Sequence, residues 1–137
     1  MNWTLEVVVV PVSDVDRAKA FYADQLGFNV DHDTTIGEDR VVQLTPPGSG
    51  CSIVIGRGQI ERMAPGSLKG VQLVVADIKA AHAQLVERGV PVSDIQVLGE
   101  NPVPGGQPLD NVGFVFFDDP DGNSWAVQQI SSRGQSG

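Results

Sequence analysis

Two stretches of this chain repeat one pattern, and the repeat limits the possible folds more than any other feature. VVVVPVSDVDRAKAFYADQLGF begins at Val7 and GVQLVVADIKAAHAQLVERGV at Gly70, 63 positions later. Each opens on an apolar run of strand length. Each then offers a helix cap, Asp14 or Asp77, followed by apolar residues at helical spacing. The stripe is Val15, Ala18, Phe21, Tyr22 and Leu26 in the first copy and Ile78, Ala81, Leu85 and Val86 in the second. Gly27 and Gly89 close the helices. Strand-like segments come after each: Phe28–Asp33, Arg40–Thr45 and Cys51–Ile55, then Pro91–Leu98 and the two arms of FVFFDDPDGNSWAVQ, Phe114 to Gln128. The expectation is an α+β fold of two tandem β-α-β-β-β modules. Each module is an open mixed sheet, and the apolar sheet faces enclose a shared concave cavity.

The modules span about residues 4–57 and 70–130 of a single domain, 1–131, with a connector at 58–69 marked by Pro65 and Gly66. Residues 132–137 lack an apolar anchor and are expected to be a disordered tail. Asp119-Pro120-Asp121-Gly122-Asn123 reads as a tight turn, because Pro presets φ, Gly accepts positive φ, and Asp and Asn bond the backbone locally. A second loop, 99–110, holds three Pro and three Gly and is a candidate lid.

Seventeen acidic side chains against nine basic ones give a net charge of −8. That balance argues against nucleic acid as a partner, since phosphate binding rests on basic side chains. No apolar run approaches the ~20 residues that span a membrane. The N-terminus has no basic start followed by a small-residue cleavage site, so a cytoplasmic location is expected. One cysteine, Cys51, excludes an intrachain disulfide and a multi-cysteine zinc site.

V-S-D-V-D-R-A-K-A-F-Y with L-G-F, and much later F-x-x-D-P-D-G-N, resembles the vicinal oxygen chelate superfamily, which includes glyoxalase I, extradiol dioxygenases and bleomycin resistance proteins. The resemblance covers about residues 5–130 and implies the two-module fold. It also implies a metal site in the enzymes of the family, with ligands (often His) on the first strand of each module and a Glu on the last, commonly as D-P-D-G-N-x-x-E. Carried over by counting, these positions are Val7, Ile53, Gly70 and Ala126. None has a side-chain donor, so the expectation is a chain without metal or other cofactor.

Strand alternation then names the cavity lining. Ala126 brings Ser124 and Gln128, Gly70 brings Gln72 and Val74, and Ile53 brings Cys51 and Ile55. Phe114 and Phe116 share a face, with Val41 and Gln43 as their first-module counterparts. Gln43, Gln72, Phe114, Phe116, Ser124 and Gln128 are the expected ligand-binding residues, a lining suited to a neutral or aromatic molecule. Trp125 is assigned to the core, and His32 and His82 to the surface. Asp31, Asp33, Glu38, Asp39 and Arg40 form a charged segment, read as a solvated hairpin tip whose acids could attract a cationic ligand if it hangs over the cavity mouth.

Two functions of different class remain. One is a metal-free protein that binds a small aromatic or cationic molecule in the cavity, for sequestration or resistance. The other is an enzyme (lyase, isomerase or cyclase, or dioxygenase-like) acting on a small metabolite there. A buried glutamine orients a substrate but is no strong base, which favours binding. Two apolar module faces imply a homodimer.

Overall fold

The computed structural model describes residues 1–56, 63–100 and 107–132, with the backbone alone at Ile36. In chain order the elements are β1 (Val7–Val9), α1 (Val15–Ala20), β2 (Asn29–Ile36), β3 (Asp39–Thr45), β4 (Ser52–Gly56), β5 (Val71–Val75), α2 (Ile78–Glu87), β6 (Gln96–Val97), β7 (Gly113–Asp118) and β8 (Ser124–Gln129). They build two four-stranded mixed sheets, ordered β1-β4-β3-β2 and β5-β8-β7-β6. In each, the first strand pairs parallel with the last and the remaining pairs are antiparallel. This is the expected α+β repeat.

The described residues group into two compact units. The first comprises residues up to Leu68 together with Asp119–Asn123. Asp14 caps α1 by accepting from the Arg17 amide at 3.0 Å. The helix expected to run on to Leu26 changes pitch after Ala20. Phe21–Gln25 form a π turn in which the Leu26 amide reaches back five residues to the Phe21 carbonyl at 3.0 Å. Phe21 and Tyr22 are both buried there, ring edge to ring face at 5.2 Å. They pack with Ala18 over the side of the sheet that carries Val42, Leu44, Ile53 and Ile55, all buried.

The turn Asp119–Asn123 joins β7 to β8, yet its bonds run to the first unit. Asp119 accepts from the Tyr22 hydroxyl at 2.6 Å and from the Asn123 side-chain amide at 2.8 Å. That same Asn123 Nδ2 donates to the Pro11 carbonyl at 2.8 Å, and Asn123 Oδ1 accepts from the Leu68 amide at 3.1 Å. Asp121 accepts from the Ser13 hydroxyl at 2.5 Å and from Arg17 at 3.3 Å. Gly66 passes so close that a Cβ would stand 2.0 Å from the Asp121 carbonyl oxygen, and its φ of +80° favours glycine independently. Turn propensity accounts for the local shape, whereas burial of Asn123 and Asp119 makes the turn a latch.

In the second unit Asp77 caps α2 through the amides of Lys79 and Ala80, at 3.0 and 3.1 Å. The helix covers the sheet side that carries Val115, Phe117, Trp125 and Val127. Trp125 is buried as expected and stacks on Phe117 with centroids 6.0 Å apart.

Two expected segments differ. Of Pro91–Leu98 only Gln96–Val97 pairs as a strand, with an isolated bridge from Val92 to Phe117. Ser93 intervenes: its hydroxyl accepts from the Phe116 amide at 2.9 Å, so a side chain takes a ladder bond. The polar connection between β2 and β3 is shorter than read, a two-residue turn at Gly37-Glu38 with φ +64° at the glycine. Residues 57–62 of the connector region, 101–106 of the candidate lid and 133–137 of the tail lie outside the described residues.

Candidate functional site

Each sheet has a face turned away from its helix, and register identifies the side chains on it. In the second unit Gln72, Ala126 and Phe116 stand in one row across β5, β8 and β7. Val74, Gln128 and Phe114 stand in the next. Ser124 continues the face on β8. Five of the six expected binding residues, Gln72, Phe114, Phe116, Ser124 and Gln128, therefore share one surface. Phe114 and Phe116 are partly buried and stack with centroids 5.9 Å apart and planes 4° from parallel. Gln72 donates to Gln128 Oε1 at 2.6 Å, and Gln128 Nε2 donates to the Asn111 carbonyl at 2.9 Å. Asn111 has φ +70°, the left-handed region that Asn tolerates better than most residues. Neither row contains a titratable group. The surface can stack a ring and hydrogen-bond its edge, but offers no base at its centre.

The sixth expected residue, Gln43, belongs to the corresponding face of the first unit. Here the register corrects the sequence reading. Gln43 pairs with Val54 and Leu44 with Ile53, so Ile53 points to the helix side, where it is buried. Ile55 is buried on that side too, and Cys51 precedes β4 with the same parity. Val54 and Ser52 occupy the open face instead, beside Val9 and Val7. The cause is loop length. Six residues separate Thr45 from Ser52, whereas five separate Asp118 from Ser124, so counting through the turn slips by one. The Thr45 and Ser52 hydroxyls meet at 2.6 Å on the true face.

His32, assigned to the surface, is exposed but stands opposite Gln43 on this open face. A register shift between Val30 and His32 leaves Asp31 unpaired in the ladder and reverses the parity of the remainder of β2. Nothing in the local sequence marks that bulge. Strand alternation misses Asn111 as well; its one signal is an Asn directly after a Pro/Gly loop.

The acidic segment is largely engaged. Asp33 receives Arg40 at 2.8 and 2.9 Å and Lys19 at 2.7 Å, and these cations hold its carboxyl well below the usual carboxylate range. Arg40 also reaches Asp16 at 2.5 Å, while Asp31 accepts from the Thr45 hydroxyl. Glu38 and Asp39 stand at the turn.

A cavity of about 490 Å³ lies in the second unit, where the start of α2 meets residues 107–109 and Ser131. Gln129, on its lining, is satisfied from behind: it donates to the buried Asp110 at 3.0 Å and accepts from the Ile78 amide at 2.9 Å. Asp110 also receives Ser131 through its hydroxyl at 2.6 Å and its amide at 2.9 Å. We read it as a structural joint.

A model of the Glyoxalase/Bleomycin resistance protein/Dioxygenase superfamily matches residues 4–127. The chain belongs to that superfamily. Among solved structures similar to it is TnmS3, an antibiotic binding protein from Streptomyces sp. CB03234, with a TM-score of 0.72 and 35% identity over 95% of this chain and 98% of that one. A glyoxalase/bleomycin resistance protein from the same organism has a TM-score of 0.70 and 35% identity, covering 92% of this chain and 100% of that one. A glyoxylase-like domain-containing protein of Didymella fabae is 29% identical over 125 residues, 88% of each chain.

The four positions carried over for the metal ligands of superfamily enzymes hold side chains without a donor. Val7, Val54 (the true counterpart of Ala126) and Ala126 lie on the open faces, and Gly70 directly precedes β5. None of the four carries a donor atom. Among the described residues no three His, Cys, Asp or Glu side chains come together as a metal site. Among the described residues, too, no helix is long and apolar enough to cross a membrane.

Proposed function

We propose that this chain is a binding protein of the superfamily that holds a small aromatic molecule, of antibiotic type, against the open face of its second sheet without a metal centre. Sequestration or resistance is the corresponding role. The observation that carries the reading is the stacked Phe114–Phe116 pair beside the Gln72–Gln128 amides, on a surface where the superfamily's glutamate position is occupied by Ala126. Aromatic faces with a few fixed hydrogen-bonding groups are the usual composition of sites for such ligands. The 35% identity with an antibiotic binding protein supports the same class of ligand. Two rows without a titratable side chain weigh against an enzyme that moves protons there. Homodimer formation, expected from the apolar module faces, is part of this reading.

The test combines calorimetric titration of a panel of aromatic antibiotics with the metal content of protein purified without chelator, and light scattering for the assembly. Micromolar binding of an aromatic compound by metal-free protein supports the proposal. Binding that depends on one equivalent of divalent metal overturns it.

A further inference from the structure

The amide pair on the open face has a fixed polarity. A backbone carbonyl only accepts, so Gln128 must present Nε2 to the Asn111 oxygen. That places Gln128 Oε1 toward Gln72, which must answer with its own Nε2 at 2.6 Å. Side-chain amides are ordinarily ambiguous between their two orientations. Here the chain of bonds from Asn111 settles both. The acceptor left at its end is Gln72 Oε1, on an exposed side chain at the margin of the face. One N–H of the same amide also remains.

Between Gln72 and Phe116 stands only Ala126, in the same row. With neighbouring strands about 4.8 Å apart, the two flanking side chains rise roughly 10 Å from each other over a single methyl group. An aromatic ring fits that slot, with one edge toward the Gln72 amide and the other toward the Phe116 ring.

From this geometry we infer that the ligand is an aromatic compound bearing a hydrogen-bond donor on its ring, a phenol foremost, accepted by Gln72 Oε1 above Ala126. A phenolic hydroxyl donates to Oε1 and takes the remaining N–H, satisfying the whole free edge of the amide. Gln128 and Asn111 are positioning residues: they set which end of Gln72 is offered. This rests on the proposed binding face and adds the ligand chemistry to it.

Naphthol, its methyl ether and naphthalene separate the two claims in one titration series on the full chain. Naphthol is expected to bind about tenfold more tightly than the ether, the worth of one hydrogen bond. In Gln72→Leu the ratio should fall to about one while both compounds still bind, because only the acceptor is gone. Gln128→Leu should also lower the ratio, since Gln72 is then free to turn over. Ala126→Leu should abolish binding of all three at an unchanged melting temperature. Equal affinity for naphthol and ether in the wild type overturns the donor inference and leaves aromatic binding standing. No binding of any of the three overturns the face itself, and the inference with it.

Discussion

The two sheets share a backbone plan and differ in what they display on it. Across the first run Val9, Val54, Gln43 and His32; across the second, at matching register, Gln72, Ala126 and Phe116. An amide stands on the inner antiparallel strand in one copy and on the parallel edge strand in the other, and in the second copy Phe116 takes the place that Gln43 holds in the first. The sides turned to the helices do not diverge in this way. Val42, Leu44, Ile53 and Ile55 in one copy and Val115, Phe117, Trp125 and Val127 in the other are all buried and apolar. Duplication thus preserves the positions that hold each helix and leaves the open positions to specialise, so fold and chemistry are written on opposite faces.

The turns diverge as sharply as the faces. Residues 47–50 of the first module are exposed, and Ser49 makes local bonds, its hydroxyl to the Cys51 backbone and its amide to the Pro46 carbonyl. The matching turn of the second module contains the fully buried Asn123 and ties Pro11, Leu68 and Asp119 together. Asn123→Ala strands a buried carbonyl and an amide, and should cost about 3 kcal/mol in urea unfolding. Ser49→Ala should change stability by less than about 0.5 kcal/mol. Similar losses for the two would dissolve the distinction between latch and plain turn.

Asp110 and Asp33 extend the comparison to pH. Hydrogen bonds from Ser131 and Gln129 bring the Asp110 carboxyl down to about 2 from its ordinary 3.8. A depressed carboxyl stabilises the fold fully above its unfolded value and ceases to do so as pH falls through the folded value. The Asp110 contribution is therefore present above about pH 4 and lost on acidification toward about 2, and Asp110→Asn should flatten that part of the profile. Asp33 is lowered by Arg40 and Lys19 at the surface. Its share should shrink in about 0.5 M salt, whereas that of Asp110 should persist. Chemical denaturation from about pH 5 to about pH 2 at two salt concentrations checks both.

Phe116→Ala tests the aromatic half of the second face. The ring is only partly buried, so its loss should cost no more than about 1 kcal/mol of stability. It should weaken binding of an aromatic ligand roughly tenfold, the value of one stacking contact. A large stability loss with unchanged affinity would return Phe116 to the core.

Much of this is legible in the amino-acid sequence alone. The caps Asp14 and Asp77, the closing glycines and the alternation along β7 and β8 are local signals, and the fold places each where its pattern predicts. The features that escape are set by pairing rather than propensity. Ile53 falls on the wrong face by counting because two turns of unequal length cannot be aligned that way. His32 changes face because a bulge costs one residue of register and leaves no mark in composition. The Asn111 carbonyl acts only because the sheet brings Gln128 under it. The latch is invisible for the same reason: five residues that explain their own turn give no hint that Tyr22 and Pro11 close on them.

Gln43 and His32 carry the smallest expected effect and the most informative contradiction. Gln43 is partly buried and His32 exposed, so Gln43→Leu and His32→Ala should each alter stability by less than about 0.5 kcal/mol. If the second face alone forms the site, both variants should bind the aromatic ligand within about twofold of wild type, a difference smaller than one net hydrogen bond. Loss of about tenfold or more in Gln43→Leu would make Gln43 part of the binding surface, as strand alternation alone suggests.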